Sequence, residues 1–148
     1  MGKTHLPEVP IHTKEDISCQ QKRTRLLPAA SDGEVFSQGN MVALDEICDA
    51  NWVLHLPSDP EGRRPHGPQG ARQLVNTYRT AFPDLQVTYE DQIAEGDKVV
   101  SRWTARGTPT GDLMGIPPTG KQMTLTGITL MRIAGGKIQE DWGSSTRL

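Results

Sequence analysis

The apolar positions of this chain change period part-way along it. Between residues 71 and 82, Ala71, Leu74, Val75, Tyr78 and Phe82 recur at i, i+3, i+4, i+7 and i+11, with Arg72, Gln73, Asn76 and Arg79 between them. That spacing predicts an amphipathic helix with one stripe toward a core and the polar residues toward water, ended by Pro83. From Leu85 the period drops to two: Leu85, Val87 and Tyr89 alternate with Gln86, Thr88 and Glu90, which predicts a half-buried strand. Gly96-Asp97 turns the chain into a second strand over Val99 to Gly107, and two more follow, over Met123 to Ile133 and Ile138 to Trp142.

The first half is patterned less evenly. Asn40 reads as an N-cap, and Met41, Leu44, Ile47 and Cys48 recur at helical spacing over a short helix. Trp52 to His55 form a short extended piece, and the proline-rich segment Ser58 to Pro68 reads as a loop. Residues 1–33 hold Pro7, Pro10 and Pro28 and one weak helical stretch, Glu15 to Leu27, interrupted by Pro28 and Gly33. The expected organisation is an irregular arm over 1–33 followed by a single domain over 34–148. Helices first and turn-linked strands last predict an α+β fold, an antiparallel sheet covered on one face by helices.

Alternate strand residues point to opposite faces, so parity sorts the side chains. Val99, Ser101, Trp103 and Ala105 oppose Arg102, Thr104 and Arg106; Met123, Leu125, Gly127, Thr129, Met131 and Ile133 share one face; Ile138, Glu140 and Trp142 share another. If these rows line a cavity beneath the helices, it is broad, apolar and rich in Met and Trp, with Thr129 and Glu140 as convergent polar groups, the makeup of a small-molecule pocket. A carboxyl in such surroundings is desolvated, and its pKa rises toward the range useful for proton transfer.

Charge and cysteines narrow the partners. The 148 residues carry 16 basic and 18 acidic side chains, a formal charge of minus 2 with no long run of either sign, so no nucleic-acid or membrane partner is expected. No apolar run approaches the ~20 residues of a membrane span, the start of the chain lacks an apolar leader segment, and a cytoplasmic location is expected. Cys19 and Cys48 read as free thiols, and His5, His12, His55 and His66 show no metal-like spacing. Gly115 to Gln122 lacks the Ser/Thr and the following helix of a phosphate loop.

Several short motifs then fall in a telling order: Gly39-Asn40, Ala43-Leu44-Asp45-Glu46, His55, Gly67-Pro68-Gln69-Gly70, Ala81-Phe82-Pro83-Asp84-Leu85, Arg102-Trp103, Gly107-Thr108, Gly115-Ile116-Pro117-Pro118-Thr119-Gly120-Lys121, Arg132-Ile133, Gly136-Lys137-Ile138 and Glu140-x-Trp142. From about Gly33 to Trp142 the chain resembles the SnoaL-like polyketide cyclase, or ester cyclase, family. The resemblance implies the cone-shaped α+β barrel of the nuclear transport factor 2-like superfamily, a strongly curved, mostly antiparallel sheet wrapped around N-terminal helices. It also implies a homodimer or homotetramer formed through the outer sheet face. The implied chemistry is an aldol ring closure on an aromatic polyketide ester without metal or cofactor, begun by an acid/base aspartate. This chain departs from that pattern: the aspartate position, two after Gly127, is Thr129; a histidine position after Gly107-Thr108 is Pro109; and Glu-His-Trp reads Glu140-Asp141-Trp142.

Each candidate has a catalytic and a structural reading. Glu140 is the first candidate acid/base, or else half of a cross-strand ion pair with Arg102 or Arg132. His55, where the resemblance places a pocket histidine, is the second. Asp141 points away from Glu140 by parity and reaches the pocket only through a bulge. Trp52, Tyr78, Trp103, Met123, Leu125, Thr129, Met131 and Trp142 are expected to contact a flat ligand or to serve as ordinary core. The expected function is a cofactor-free enzyme that cyclises or isomerises a hydrophobic, carbonyl-bearing, polyketide-like molecule. The alternatives are an accessory hydroxylation or epoxide-opening enzyme and a non-catalytic small-molecule binder on the same fold.

Overall fold

The structure, a computed structural model, describes residues 26, 28–29, 31–57, 64–111 and 117–146. Helix α1 covers 31–38, with 26, 28 and 29 also helical. There follow α2 (Met41–Ile47), β1 (Cys48–His55), α3 (Gly67–Ala81), β2 (Gln86–Glu95), β3 (Lys98–Gly107), β4 (Met123–Ala134) and β5 (Lys137–Thr146). The strands form one sheet in the order β1-β5-β4-β3-β2, antiparallel except for the β1–β5 pair. Cys19 and, apart from Leu26, the weak helix over Glu15 to Leu27 lie outside the described residues.

The helices differ from expectation at their ends, and packing explains why. Pro28, Ala29 and residues 31–38 are helical, which corrects the interruption expected from Pro28 to Gly33. Ala29 and Val35 are wholly buried in the core, and that burial outweighs the local cost of Gly33 in a helix. Asn40 caps α2 as expected, its Oδ1 accepting from the Ala43 amide at 3.1 Å. Cys48, expected in that helix, instead opens β1. Gly67 and Pro68, expected in the loop, form the first turn of α3, where a proline's missing N–H costs nothing; residues 58–63 of that loop lie outside the described ones. Arg79 does not face water: its Nη1 donates to the carbonyls of Phe36 (2.9 Å) and Ser37 (2.5 Å), closing the end of α1.

The period-two pattern of β3 and β4 holds, and that of β2 holds as far as Tyr89, where a bulge at Glu90 shifts the register and turns Gln92 and Ala94 inward. Val99, Met131, Ile133 and Ile138 of the inner sheet face join Val35 of α1, Leu44 and Ile47 of α2 and Ala71 and Val75 of α3 in one core. A second cluster, Ala81, Phe82 and Leu85, anchors the α3–β2 connection. The sheet curves around these helices as a cone-shaped α+β barrel.

Candidate functional site

Between the helices and the concave face of the sheet lies a cavity of about 690 Å³. Trp52 of β1, Tyr78 of α3, Trp103 of β3 and Met123, Leu125, Thr129 and Met131 of β4 all line it. Thr129 Oγ1 accepts from Trp103 Nε1 at 2.9 Å, so at this position the side chain fixes an indole. Gly127 makes that possible. A Cβ there would stand 2.3 Å from Cζ2 of Trp103 and 2.7 Å from the Ser144 carbonyl oxygen, so the indole lies over bare backbone.

Strand β5 breaks the alternation that the sequence pattern suggests. Ile138 pairs with Ile133 and Glu140 with Arg132, which leaves Gln139 without a partner on β4; the β1 register shifts over the same stretch. Gln139 holds this bulge by donating from Nε2 to Asp49 Oδ2 (2.9 Å) and to the Ala134 carbonyl (3.3 Å). One extra residue reverses the parity of everything after it. Asp141 therefore turns into the cavity, while Glu140 and Trp142 turn to the outer face.

This corrects the placement expected for three residues. Glu140 Oε2 accepts from Arg132 Nε at 3.0 Å, the cross-strand ion pair of its structural reading, and Oε1 lies 3.7 Å from His55 Nε2. His55 stacks on Trp142 with ring centroids 4.9 Å apart and planes 8° apart, and its Nδ1 lies 3.0 Å from Arg64 Nη1. None of Glu140, His55 and Trp142 lines the cavity. Glu140→Gln should accordingly leave any turnover by the cavity within about twofold and cost under ~1 kcal/mol in denaturant unfolding, the range of a partly exposed pair. A loss of a hundredfold would return Glu140 to the chemistry.

Asp141 is 7 % exposed. Its Oδ2 accepts from Trp52 Nε1 at 2.6 Å, and its Oδ1 is buried with no hydrogen-bond partner among the described residues. Burial, seconded by the negative field of Asp32, pushes its pKa up to about 8, against the lowering effect of the Trp52 N–H. Asp32, on α1, is the residue the sequence reading missed. It lines the same cavity, and its Oδ2 accepts from the Tyr89 hydroxyl at 2.6 Å. Burial raises Asp32 to about 6 while the Tyr89 bond lowers it. Cys48 also borders the cavity; burial first, then Asp141, pushes its thiol up to about 12, so it stays a neutral, unreactive group. Among the described residues no three His, Cys, Asp or Glu side chains converge to hold a metal ion.

Such a cavity, mostly apolar with two carboxyls in its wall, is capable of moving protons on a hydrophobic ligand. The model of the SnoaL-like polyketide cyclase family matches residues 32–147. The chain belongs to the SnoaL-like polyketide cyclase family. It is similar to the nogalonic acid methyl ester cyclase of Streptomyces nogalater, 35% identical over 110 residues that cover 72% of this chain and 81% of the relative. Among solved structures it resembles IdmH of Streptomyces antibioticus, assigned to the polyketide cyclases, with TM-score 0.70 and 31% identity over 82% of this chain and 91% of that one. A protein of Acidithiobacillus ferrooxidans with the same assignment gives TM-score 0.67 and 34% identity, over 94% and 92% of the two chains. The SnoaL-like match begins at Asp32, so α1 falls within the family's domain. A hydrogen-bonding carboxyl next to a helical glycine was the available signal, obscured by reading Pro28 and Gly33 as breaks.

Proposed function

We propose that this SnoaL-like chain is an enzyme that closes a ring on a flat, hydrophobic polyketide ester by acid/base chemistry, with Asp141 as the proton-donating carboxyl. One observation carries the reading: a carboxyl in the cavity wall has one oxygen tied to Trp52 and the other buried with no hydrogen-bond partner among the described residues. With its pKa raised to about 8, Asp141 is mostly neutral at pH 7. Oδ2 is occupied by an N–H donor, so the acidic proton belongs on Oδ1. The partner this reading assigns to it is the oxygen of a bound carbonyl. A neutral carboxylic acid in a low-dielectric site is a strong hydrogen-bond donor to an enolate, and one such donor contributes ~10²–10³ in rate.

Ring closure of this kind needs a C–H acidified by an adjacent carbonyl, a base to take the proton, and a donor for the oxygen that becomes negative. Trp103, fixed by Thr129, and Trp52, fixed by Asp141, offer broad aromatic walls for a fused-ring substrate. The similarity to a nogalonic acid methyl ester cyclase supports a polyketide ester over a small aliphatic one. Asp141 stands where the common Glu-His-Trp of the family has its histidine, and Thr129 where it has its aspartate, so the carboxyl sits one strand over, on β5 instead of β4.

The test uses nogalonic acid methyl ester as the probe in D₂O. Ring closure, or deuterium uptake at the carbon beside the ester or ketone carbonyl, is expected with the wild-type chain and is expected to fall about a hundredfold in Asp141→Ala. Absence of both reactions in the wild type, or equal rates in Asp141→Ala, would sink the proposal.

A further inference from the structure

Asp32 enters the cavity from α1, opposite the strand that carries Asp141, and the function proposed above leaves it unused. Its setting is built. A Cβ on Gly33 would meet Cε2 of Tyr89 at 3.2 Å, so the bare glycine lets the Tyr89 ring lie against α1. That contact brings the hydroxyl to 2.6 Å from Asp32 Oδ2. A phenol donating to a carboxyl favours the ionised form of that carboxyl. Asp141 also accepts a single donor, the Trp52 N–H at 2.6 Å, and burial raises both carboxyls, but the field of Asp32 raises Asp141 further.

Two carboxyls in one apolar cavity do not both ionise readily, and their different surroundings decide which one keeps a proton. Burial raises both carboxyls and the charge of one raises the other, so around neutral pH the pair holds one proton. The Tyr89 bond places the charge on Asp32 and leaves the proton on Asp141. Among the described residues the other titratable groups that face the pair are Tyr89 of β2 and Cys48 of β1, both kept neutral by burial and by the carboxyls, while Tyr78 of α3, also raised by burial, and the cation Arg106 of β3 border the same cavity.

We propose that Asp32 is the general base of this site, held ionised by Tyr89, and that it works opposite the neutral Asp141 as a one-proton carboxyl pair. The assignment rests on the acid/base reading of Asp141. In the step it describes, a C–H bond beside a carbonyl breaks and its proton forms an O–H bond on Asp32. The C–H electron pair becomes the enolate, whose oxygen is bonded by the Asp141 proton. The enolate carbon then attacks a second carbonyl carbon, and the new alkoxide takes a proton from the pair. One proton has left carbon and one has reached oxygen, and the pair again holds one. Tyr89 is a positioning residue: it sets the charge of Asp32 and touches no reacting atom.

The experiment needs no knowledge of the natural substrate. The probe is 5-nitrobenzisoxazole, a flat aromatic whose C–H proton is taken by a base as its N–O bond breaks to a phenolate, so that the rate reports the base directly. Asp32→Asn should lose about a hundredfold or more relative to wild type. Asp141→Asn, which still donates a hydrogen bond, should lose less than about tenfold. Tyr89→Phe should move the acidic limb of the rate profile to higher pH, an outcome that a purely structural tyrosine would not produce. Carbon-13 carboxyl titration of the intact chain should show Asp32 ionising before Asp141 and the order closing up in Tyr89→Phe. Equal rates for wild type and Asp32→Asn, or Asp141 ionising first, would overturn the assignment. If Asp32→Asn is inactive and Asp141→Ala is not impaired in either probe, the base assignment stands and the reading of Asp141 fails.

Discussion

Asp141→Asn is expected to separate activity from stability in a way that few active-site substitutions do. The asparagine amide reproduces both hydrogen bonds of the neutral acid, with Oδ1 accepting from Trp52 and Nδ2 donating to the cavity, so turnover should stay within about tenfold of wild type. Asp141→Ala should lose about a hundredfold or more, because it deletes the donor. The alkaline limb of the rate profile, set in wild type by loss of the Asp141 proton near pH 8, should vanish in Asp141→Asn. Had Asp141 been the base, Asn and Ala would be equally inactive.

The stability of the same variant follows from the sign of the shift. The folded pKa of Asp141, about 8, lies above the ordinary 3.8, so the folded state binds the proton more tightly than the unfolded chain. That preference stabilises the fold fully below the ordinary value and is lost as pH rises toward the folded one. Asparagine has nothing to ionise. Asp141→Asn should therefore match wild type in urea unfolding near pH 4 and be more stable than it by several kcal/mol near pH 8. A variant less stable than wild type at the higher pH would show that the carboxyl is not held neutral by the fold.

Gly127→Ala carries the largest expected loss of stability. The new methyl would lie 2.3 Å and 2.7 Å from two ring atoms of Trp103 and 2.7 Å from the Ser144 carbonyl oxygen. The carbonyl belongs to the neighbouring strand, so β5 must give way and the indole must also move, surrendering its bond to Thr129 and its place in the cavity wall. Overpacking of this kind costs about 3 kcal/mol, which lowers the melting temperature by roughly 10 °C in a chain of this size. Gly143→Ala is the control on the next strand: its nearest foreign atom, Cδ2 of Leu56, would be 3.7 Å away, an ordinary contact, and its melting temperature should move by no more than about 2 °C. Equal effects at the two glycines would contradict the close approach at Gly127.

Much of this architecture was legible because short-range patterns decide it. The stripe from Ala71 to Phe82 makes α3, and the alternation through Val87, Tyr89, Val99, Ser101 and Trp103 names the inner face of β3 and of β2 as far as its bulge at Glu90. Thr129, Met123 and Met131 fall in the cavity wall for the same reason. Glu140 and Asp141 exchanged faces because a bulge is a tertiary choice, settled by what Gln139 finds on β1 and at the end of β4. Asp32 escaped notice because Pro28 and Gly33 look like punctuation in isolation, whereas Ala29 and Val35 beneath the sheet make that stretch part of the core. His55 is expected from the sequence as an acid/base group and Trp142 as a contact for a flat ligand, but the two rings stack on each other away from the cavity.

The bulge at Gln139 also makes this strand a switch in sequence space. With the extra residue looped out, the side chains after it are indexed to the cavity as though Gln139 were not counted. Deleting Gln139 outright would leave Asp141, Gly143 and Ser145 facing inward and merely straighten the strand. Inserting a residue between Glu140 and Asp141 would present the outer row to the ligand instead. A lineage carrying this strand can thus exchange the acid at the heart of its cavity through a one-residue length change at a single point, with no substitution in the cavity itself.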